Sequence, residues 1–292
     1  MATWDEIFND VQPHTCIEKK ISKALLDLSK YTKRNVIVYF SAWQQKQGVF
    51  GNFSIDDNDR NGFMSVLSGL DKSRGLDLIL HTPGGDLAAT KSIVEYITQF
   101  FNNDIRVIVP HTAMSAGTMI ACAAKEIYLG LHSNLGPIDP QINGAPANEY
   151  LKLLRNAMTD YSKGENITYW REVLQKYPPT FFGLCQNAID VSKKYVYSWL
   201  ERNMLKDVEA SRINETVEYL ANYDFHLQHN TRLHINELKE KTCLKICAME
   251  DNHKLQDLFL TIYHCFVIYA SAFSCAKRIT NHKGKTYLVN YN

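Results

Sequence analysis

Two short segments hold the residue types that acyl chemistry needs. His81-Thr82-Pro83-Gly84-Gly85-Asp86 is a glycine turn after an apolar run, and Ala113-Met114-Ser115-Ala116-Gly117-Thr118 sets a serine among small residues. A serine hydroxyl becomes a useful nucleophile only with a base in reach and with donors where negative charge develops on the carbonyl oxygen. Ser115 opens a predicted helix directly after a strand and a loop. Its side chain therefore stands where free N–H groups and the helix dipole favour an anion. Ala116 and Gly117 allow a carbonyl to approach the backbone, and Gly84-Gly85, ending a neighbouring predicted strand, can aim a second N–H at the same oxygen. Taken locally, the same residues also fit a plain turn and a helix cap, both common in α/β folds.

A third segment, Gly136-Pro137-Ile138-Asp139-Pro140-Gln141, completes a pattern. In this order and spacing, Thr82-Pro83-Gly84-Gly85, Met114-Ser115-Ala116-Gly117-Thr118 and this segment resemble the serine dehydrogenase proteinase family. That family belongs to the Clp protease/crotonase superfamily, with the Clp proteolytic subunit and signal peptide peptidase A. Ala276-Lys277-Arg278-Ile279-Thr280-Asn281-His282-Lys283-Gly284 is similar to the family's closing Lys/Asn/Gly motif, and residues 229–244 to the stretch before it. The resemblance covers residues 35–143 and, more loosely, 224–289. It implies an α/β, Clp/crotonase-like fold of repeated β-β-α units with a helical elaboration, and a ring-like or stacked homo-oligomer. It also implies Ser115 as the nucleophile, with Gly84 or Gly85 and Ala116 as oxyanion donors.

The base is open at this level. In the Clp proteolytic subunit it is a histidine whose equivalent place falls near Pro140, where the titratable residue is Asp139. The superfamily's third triad position, an aspartate, falls near His229. The resemblance therefore allows Ser115, His229 and Asp139 with acid and base exchanged, since triads are defined by geometry and not by chain order. Signal peptide peptidase A uses a lysine from a later helix, for which Lys152 and Lys163 are the candidates. A lysine base would need desolvation to lower its pKa. His81 and His111 fall at the ends of predicted parallel strands, where ligands bind in open α/β sheets. His111, close before Ser115, could line the site, but packing at the strand end is the leading reading for it.

The elements that must position these residues follow from periodicity. Residues 35–40, 76–80, 105–109 and 126–130 are short apolar, β-branched runs and read as buried strands. Helical spacing of apolar residues predicts helices over 15–30, from about Phe63 to Leu70, from Asp86 to Phe101 with Asp86 as N-cap, and over 113–124. Strand–helix alternation with buried strands predicts a parallel sheet covered by helices. Residues 149–218 read as mostly helical, with a break at Pro178-Pro179. A polar, His-rich stretch follows over 225–236, then an apolar helix ending near Cys275. No Gly-, Pro- or Ser-rich linker divides the chain, so residues 1–292 are expected to form a single domain, with 149–218 an elaboration and 255–292 a C-terminal helix and tail suited to an oligomer contact.

The 292 residues suffice for a full core, and the formal net charge of +1 gives no electrostatic case for nucleic acid or an anionic membrane. Seven scattered cysteines suggest reduced thiols in a cytoplasmic protein, and the Cys243/Cys247 spacing lacks the second pair a zinc site needs. The opening Met1-Ala2-Thr3-Trp4-Asp5-Glu6 lacks a signal peptide's basic and apolar regions. The most lipid-like stretch, residues 258–273, is shorter than the ~20 residues of a spanning helix. No metal or cofactor is expected: the glycine turn lacks the third glycine of a nicotinamide site, and no Gly-Lys-Ser/Thr phosphate loop occurs. The leading expectation is thus a serine endopeptidase acting on peptide or protein substrates, with any unfolding supplied by a separate ATPase or regulatory partner. A crotonase-like acyl-CoA enzyme and a catalytically idle scaffold or sensor are the alternatives.

Overall fold

The computed structural model describes residues 3–11, 16–222, 226 and 228–291. It opens with helices α1 (Trp4–Asp10) and α2 (Ile17–Thr32), then strand β1 (Asn35–Ser41). Ile17, Ile21, Leu25 and Leu28 form the buried stripe of α2, as their helical spacing requires. The expected start at Thr15 lies outside the described residues, as do Met1, Ala2, Asp224 and Phe225. The chain continues through α3 (Asp57–Leu67), β2 (Leu76–His81), α4 (Leu87–Phe100), β3 (Ile105–Val109), β4 (Thr112–Ala113), α5 (Ala116–Cys122) and β5 (Glu126–Leu129).

Strands β1, β2, β3 and β5 pair side by side in parallel. Every residue of β1 and β2 is buried, which is why they read as continuous rather than alternating apolar runs. Leu78, Leu80 and Val107 join α4 residues Ile93, Val94 and Ile97 in one core. Val36, Val38 and Phe40 join α2 in the core on the other face. The family-like β-β-α unit is visible where β3 passes into the two-residue β4 and then into α5. The helix expected over 113–124 is shorter for that reason: Thr112 and Ala113 pair with a further strand, β6 (Asn134–Leu135).

After β6 come a tight hairpin, β7 (Gln141–Ile142) and β8 (Ala145–Pro146), and helices α6 (Ala147–Lys163), α7 (Ile167–Leu174), α8 (Phe181–Arg202) and α9 (Ala210–Ala221). The break at Pro178-Pro179 separates α7 from α8, because proline cannot donate to a helical ladder. Next are β9 (Leu233–His234), which extends the β4–β6 sheet, then α10 (Ile235–Lys241), β10 (Ile246–Ala248), α11 (His253–Ala272), β11 (Cys275–Asn281) and β12 (Thr286–Asn290).

The C-terminal part bears out a buried helix and adds to what the sequence suggested. Helix α11 starts earlier than the apolar stretch suggested and runs for 20 residues, long and apolar enough to cross a bilayer by length and composition. Here it packs as a core helix beside α2, with Phe259, Ile262, Cys265 and Phe266 buried. The tail beyond it is an antiparallel hairpin, β11–β12, that pairs with β1 and completes a seven-stranded sheet in the order β10-β5-β3-β2-β1-β11-β12. All seven residues of β11 are buried, although it carries Lys277, Arg278 and Asn281. Arg278 is satisfied there by a two-bond pair with Glu18, at 3.0 and 2.7 Å.

Candidate active site

Ser115 sits at the N-cap of α5 with φ 50° and ψ −115°, a positive-φ backbone that a non-glycine residue adopts only under constraint. The constraint is a set of short bonds around it. Met114 N–H donates to Thr82 O (3.0 Å), and Gly117 N–H to Met114 O (2.7 Å). The Thr118 hydroxyl lies 2.8 Å from Gly136 O and accepts from Gly136 N–H at 3.0 Å. The elbow is thereby fastened to both other motifs. Space is equally tight: a Cβ on Gly84 would lie 2.8 Å from both Met114 O and Ser115 Cβ, so only glycine fits there.

The two glycine amides differ. Gly84 N–H donates to the Thr82 hydroxyl at 3.1 Å. Gly84 O accepts from Ile55 N–H at 2.8 Å, and Asp86 N–H donates to Ile55 O at 2.9 Å, which brackets the peptide between them. Among the described residues, neither Gly85 N–H nor Ala116 N–H has an acceptor. Both residues line the same cavity as Ser115. Gly85 and Ala116 are therefore the available donor pair, and Gly84 is a spacer whose own N–H is already used.

Asp139, 1% exposed, lies 2.9 Å through Oδ1 from His229 Nδ1. Its Oδ2 accepts from the Gln141 side-chain amide at 2.9 Å. With the proton on Nδ1, His229 donates to Asp139 and keeps Nε2 as an acceptor. His229 also lines the Ser115 cavity, which has a volume of ≈ 370 Å³. Leu87, Met119, Ile138 and Ala188 supply its apolar wall. Ser192 also lines it, its hydroxyl donating to Ile138 O at 2.9 Å.

Sequence comparison places the chain in a family: the one described as ClpP-like SDH-type serine proteinase matches residues 10–259. The chain belongs to that family. Two similar proteins are "Uncharacterized protein MJ0137" and "Uncharacterized protein MJ1495" of Methanocaldococcus jannaschii. The first is 30% identical over 190 residues, 63% of this chain and 59% of that protein. The second is 34% identical over 126 residues, 43% of this chain and 38% of that protein. The chain thus spans less than two thirds of either relative. Among solved structures, a serine-to-alanine mutant of the 1510-N membrane-bound stomatin-specific protease is similar at a TM-score of 0.42 and 17% identity, covering 69% of this chain and 78% of that one.

In this member of the family the remaining candidates fall elsewhere. Lys152 lies on α6 with its side chain half exposed, 3.8 Å from Glu149, in a separate hollow with Tyr150, Trp170 and Tyr177. Lys163 is an exposed residue of the last turn of α6. Neither lines the Ser115 cavity, and a solvated lysine lacks the desolvation that a base role demands. His111 does not line it either. With His81 it faces the α11 side of the sheet, stacked 5.6 Å from the Tyr263 ring. Of the residues lining or bracing the cavity, sequence reasoning did not single out Gln141, Ser192 or Ser54. Gln141 closes the Gly136–Gln141 segment, where its proximity to Asp139 is its one signal.

Proposed function

We propose that this chain is a serine endopeptidase in which Ser115 attacks the peptide carbonyl, His229 carries the proton and Asp139 orients His229. The observation that carries the reading is the 2.9 Å His229–Asp139 hydrogen bond beside the cavity that Ser115 lines. Asp139 holds the histidine in the Nδ1–H tautomer and stabilises the imidazolium, which leaves Nε2 to accept the serine proton. Negative charge on the tetrahedral oxygen is met by the Gly85 and Ala116 amides at the N-terminus of α5. His229 then protonates the leaving amine. Water, deprotonated by the same histidine, cleaves the acyl-enzyme and restores the serine.

The apolar wall of Leu87, Met119, Ile138 and Ala188 suits an apolar substrate side chain. A homo-oligomer, a cytoplasmic location and a separate ATPase for folded substrates belong to the same proposal. The idle-scaffold alternative rests on the lack of a histidine near Pro140, and the His229–Asp139 pair beside the cavity supports the peptidase reading over it. A crotonase-like enzyme would need only the paired amides.

Ser115→Ala is expected to lower hydrolysis of casein and fluorogenic peptides by roughly a thousandfold or more. A fluorophosphonate probe should label the wild type at Ser115 and leave the variant unlabelled. Unchanged turnover by purified Ser115→Ala protein would overturn the assignment, and a wild type that resists the probe would favour the thioester reading.

A further inference from the structure

Lys277 on β11 is 1% exposed, and the mechanism above does not use it. Its ammonium meets three acceptors: Ser54 O at 2.8 Å, Asp59 Oδ2 at 3.0 Å and Asp56 Oδ2 at 3.1 Å. An ammonium is tolerated in an interior only when its donors are met in this way. Asp59 also accepts from the Tyr39 hydroxyl at 2.8 Å, which fixes the carboxylate from the β1 side.

What Lys277 grips is the segment that brackets Gly85. Ser54, whose carbonyl it holds, precedes Ile55, and Ile55 bonds Gly84 O and Asp86 N–H on either side of Gly85. The fit is close enough that a Cβ on Gly85 would lie 2.3 Å from the Ile55 backbone. A second peg comes from β1, where the Ser41 hydroxyl donates to Phe53 O at 2.7 Å. Just upstream the loop is exposed, with Phe50 96% accessible, so these bonds, together with the burial of Ile55 and the Asp56 helix cap, hold residues 53–56 against the turn.

We propose that Lys277 is a positioning residue for catalysis: by holding Ser54 O it fixes Ile55, and through Ile55 it fixes the peptide that aims Gly85 N–H into the cavity. This rests on the reading of Gly85 as an oxyanion donor. An oxyanion donor displaced by a fraction of an ångström fails the transition state while leaving ground-state binding intact.

The test compares Lys277→Met, close to isosteric, with the Lys277→Met/Asp59→Asn double variant, which also removes the stranded buried charge. Circular dichroism and thermal melting identify folded protein. Turnover is measured on a fluorogenic peptide, and binding on an aldehyde of the same peptide, whose hemiacetal mimics the tetrahedral intermediate, and on the peptide acid as a product. In folded variants kcat should fall about tenfold or more with KM within about twofold, and aldehyde affinity should fall in step while acid affinity holds. Wild-type kcat in a folded variant overturns the proposal, as does a loss of acid affinity equal to that of the aldehyde. Absence of Ser115-dependent turnover in the wild type would overturn the reading of the site itself, seen before any Lys277 variant is made.

Discussion

His81 and His229 show how differently one residue type is used in this chain. His229 has a carboxylate partner and a face on the cavity, whereas His81 is wholly buried among Phe40, Trp43, Tyr263 and His111. Neither ring nitrogen of His81 has a hydrogen-bond partner among the described residues. Burial, with a smaller contribution from His111, holds it well below its ordinary value of 6.5. A base depressed in the folded state stays neutral there while the unfolded chain takes up a proton. Stability is therefore whole above about pH 6.5 and declines as pH falls below it, by up to about 1.4 kcal/mol per pH unit for each such group. His111 and His282 are also depressed chiefly by burial and act in the same direction. The urea midpoint should fall between pH 7.5 and pH 5.5, and His81→Phe should flatten the decline without losing a hydrogen bond. An undiminished slope in the variant would assign it to other groups. At this scale the sequence made Ser115 and the glycine turn legible, because backbone constraint and small size are local properties. It did not separate His229 and Asp139 from Lys152 and Lys163, because distance across the fold leaves no local trace.

Between elements, packing distance decides which glycines are needed. On Gly117 in α5 a Cβ would lie 2.5 Å from Thr82 Cγ2 and 3.2 Å from Ala113 Cβ, where β2, β4 and α5 converge. Gly117→Ala is expected to cost about 1–3 kcal/mol by overpacking and to lower turnover by shifting Ser115. Gly183 in α8 has nothing within 4 Å of the same position. Gly183→Ala should instead raise stability by about 0.4–1 kcal/mol, chiefly by restricting the unfolded chain. Melting both variants against wild type tests the pair, and a Gly117→Ala protein as stable as wild type would contradict the close approach. The apolar strands β1, β2, β3 and β5 were readable for a related reason: burial on both faces writes itself as a continuous apolar run. Strand β11 was not. Lys277, Arg278 and Asn281 are polar in sequence but buried in the sheet, where Asp56, Asp59, Glu18 and Val66 O supply partners from far along the chain. The two-residue strands β4, β6 and β9 are too short to carry a periodicity.

In the whole molecule, the site draws on widely separated parts of the chain, and the sheet ties them together late. Gly85 and Ser115 follow β2 and β4, Asp139 follows β6, and His229 precedes β9. Helix α8 brings Ala188 and Ser192 over the cavity, a placement that the legible helical pattern of residues 149–218 did not reveal. The C-terminal β11 lies between β1 and β12, so the β1 side of the sheet is completed only by the end of the described chain. Removing residues 274–292 would leave fully buried β1 with an unpaired edge, Glu18 without Arg278, and Asp56 and Asp59 without Lys277. An unpaired edge recruits other chains, and an uncompensated buried carboxylate is strongly destabilising. A chain ending at Phe273 is therefore expected to lose the cooperative thermal transition of the full chain and to elute as aggregate in size-exclusion chromatography. A monodisperse truncated protein melting at the full-length midpoint would make the hairpin a mere appendage. It would also remove the structural ground for coupling Lys277 to Gly85, since the fold would then hold residues 53–56 without it.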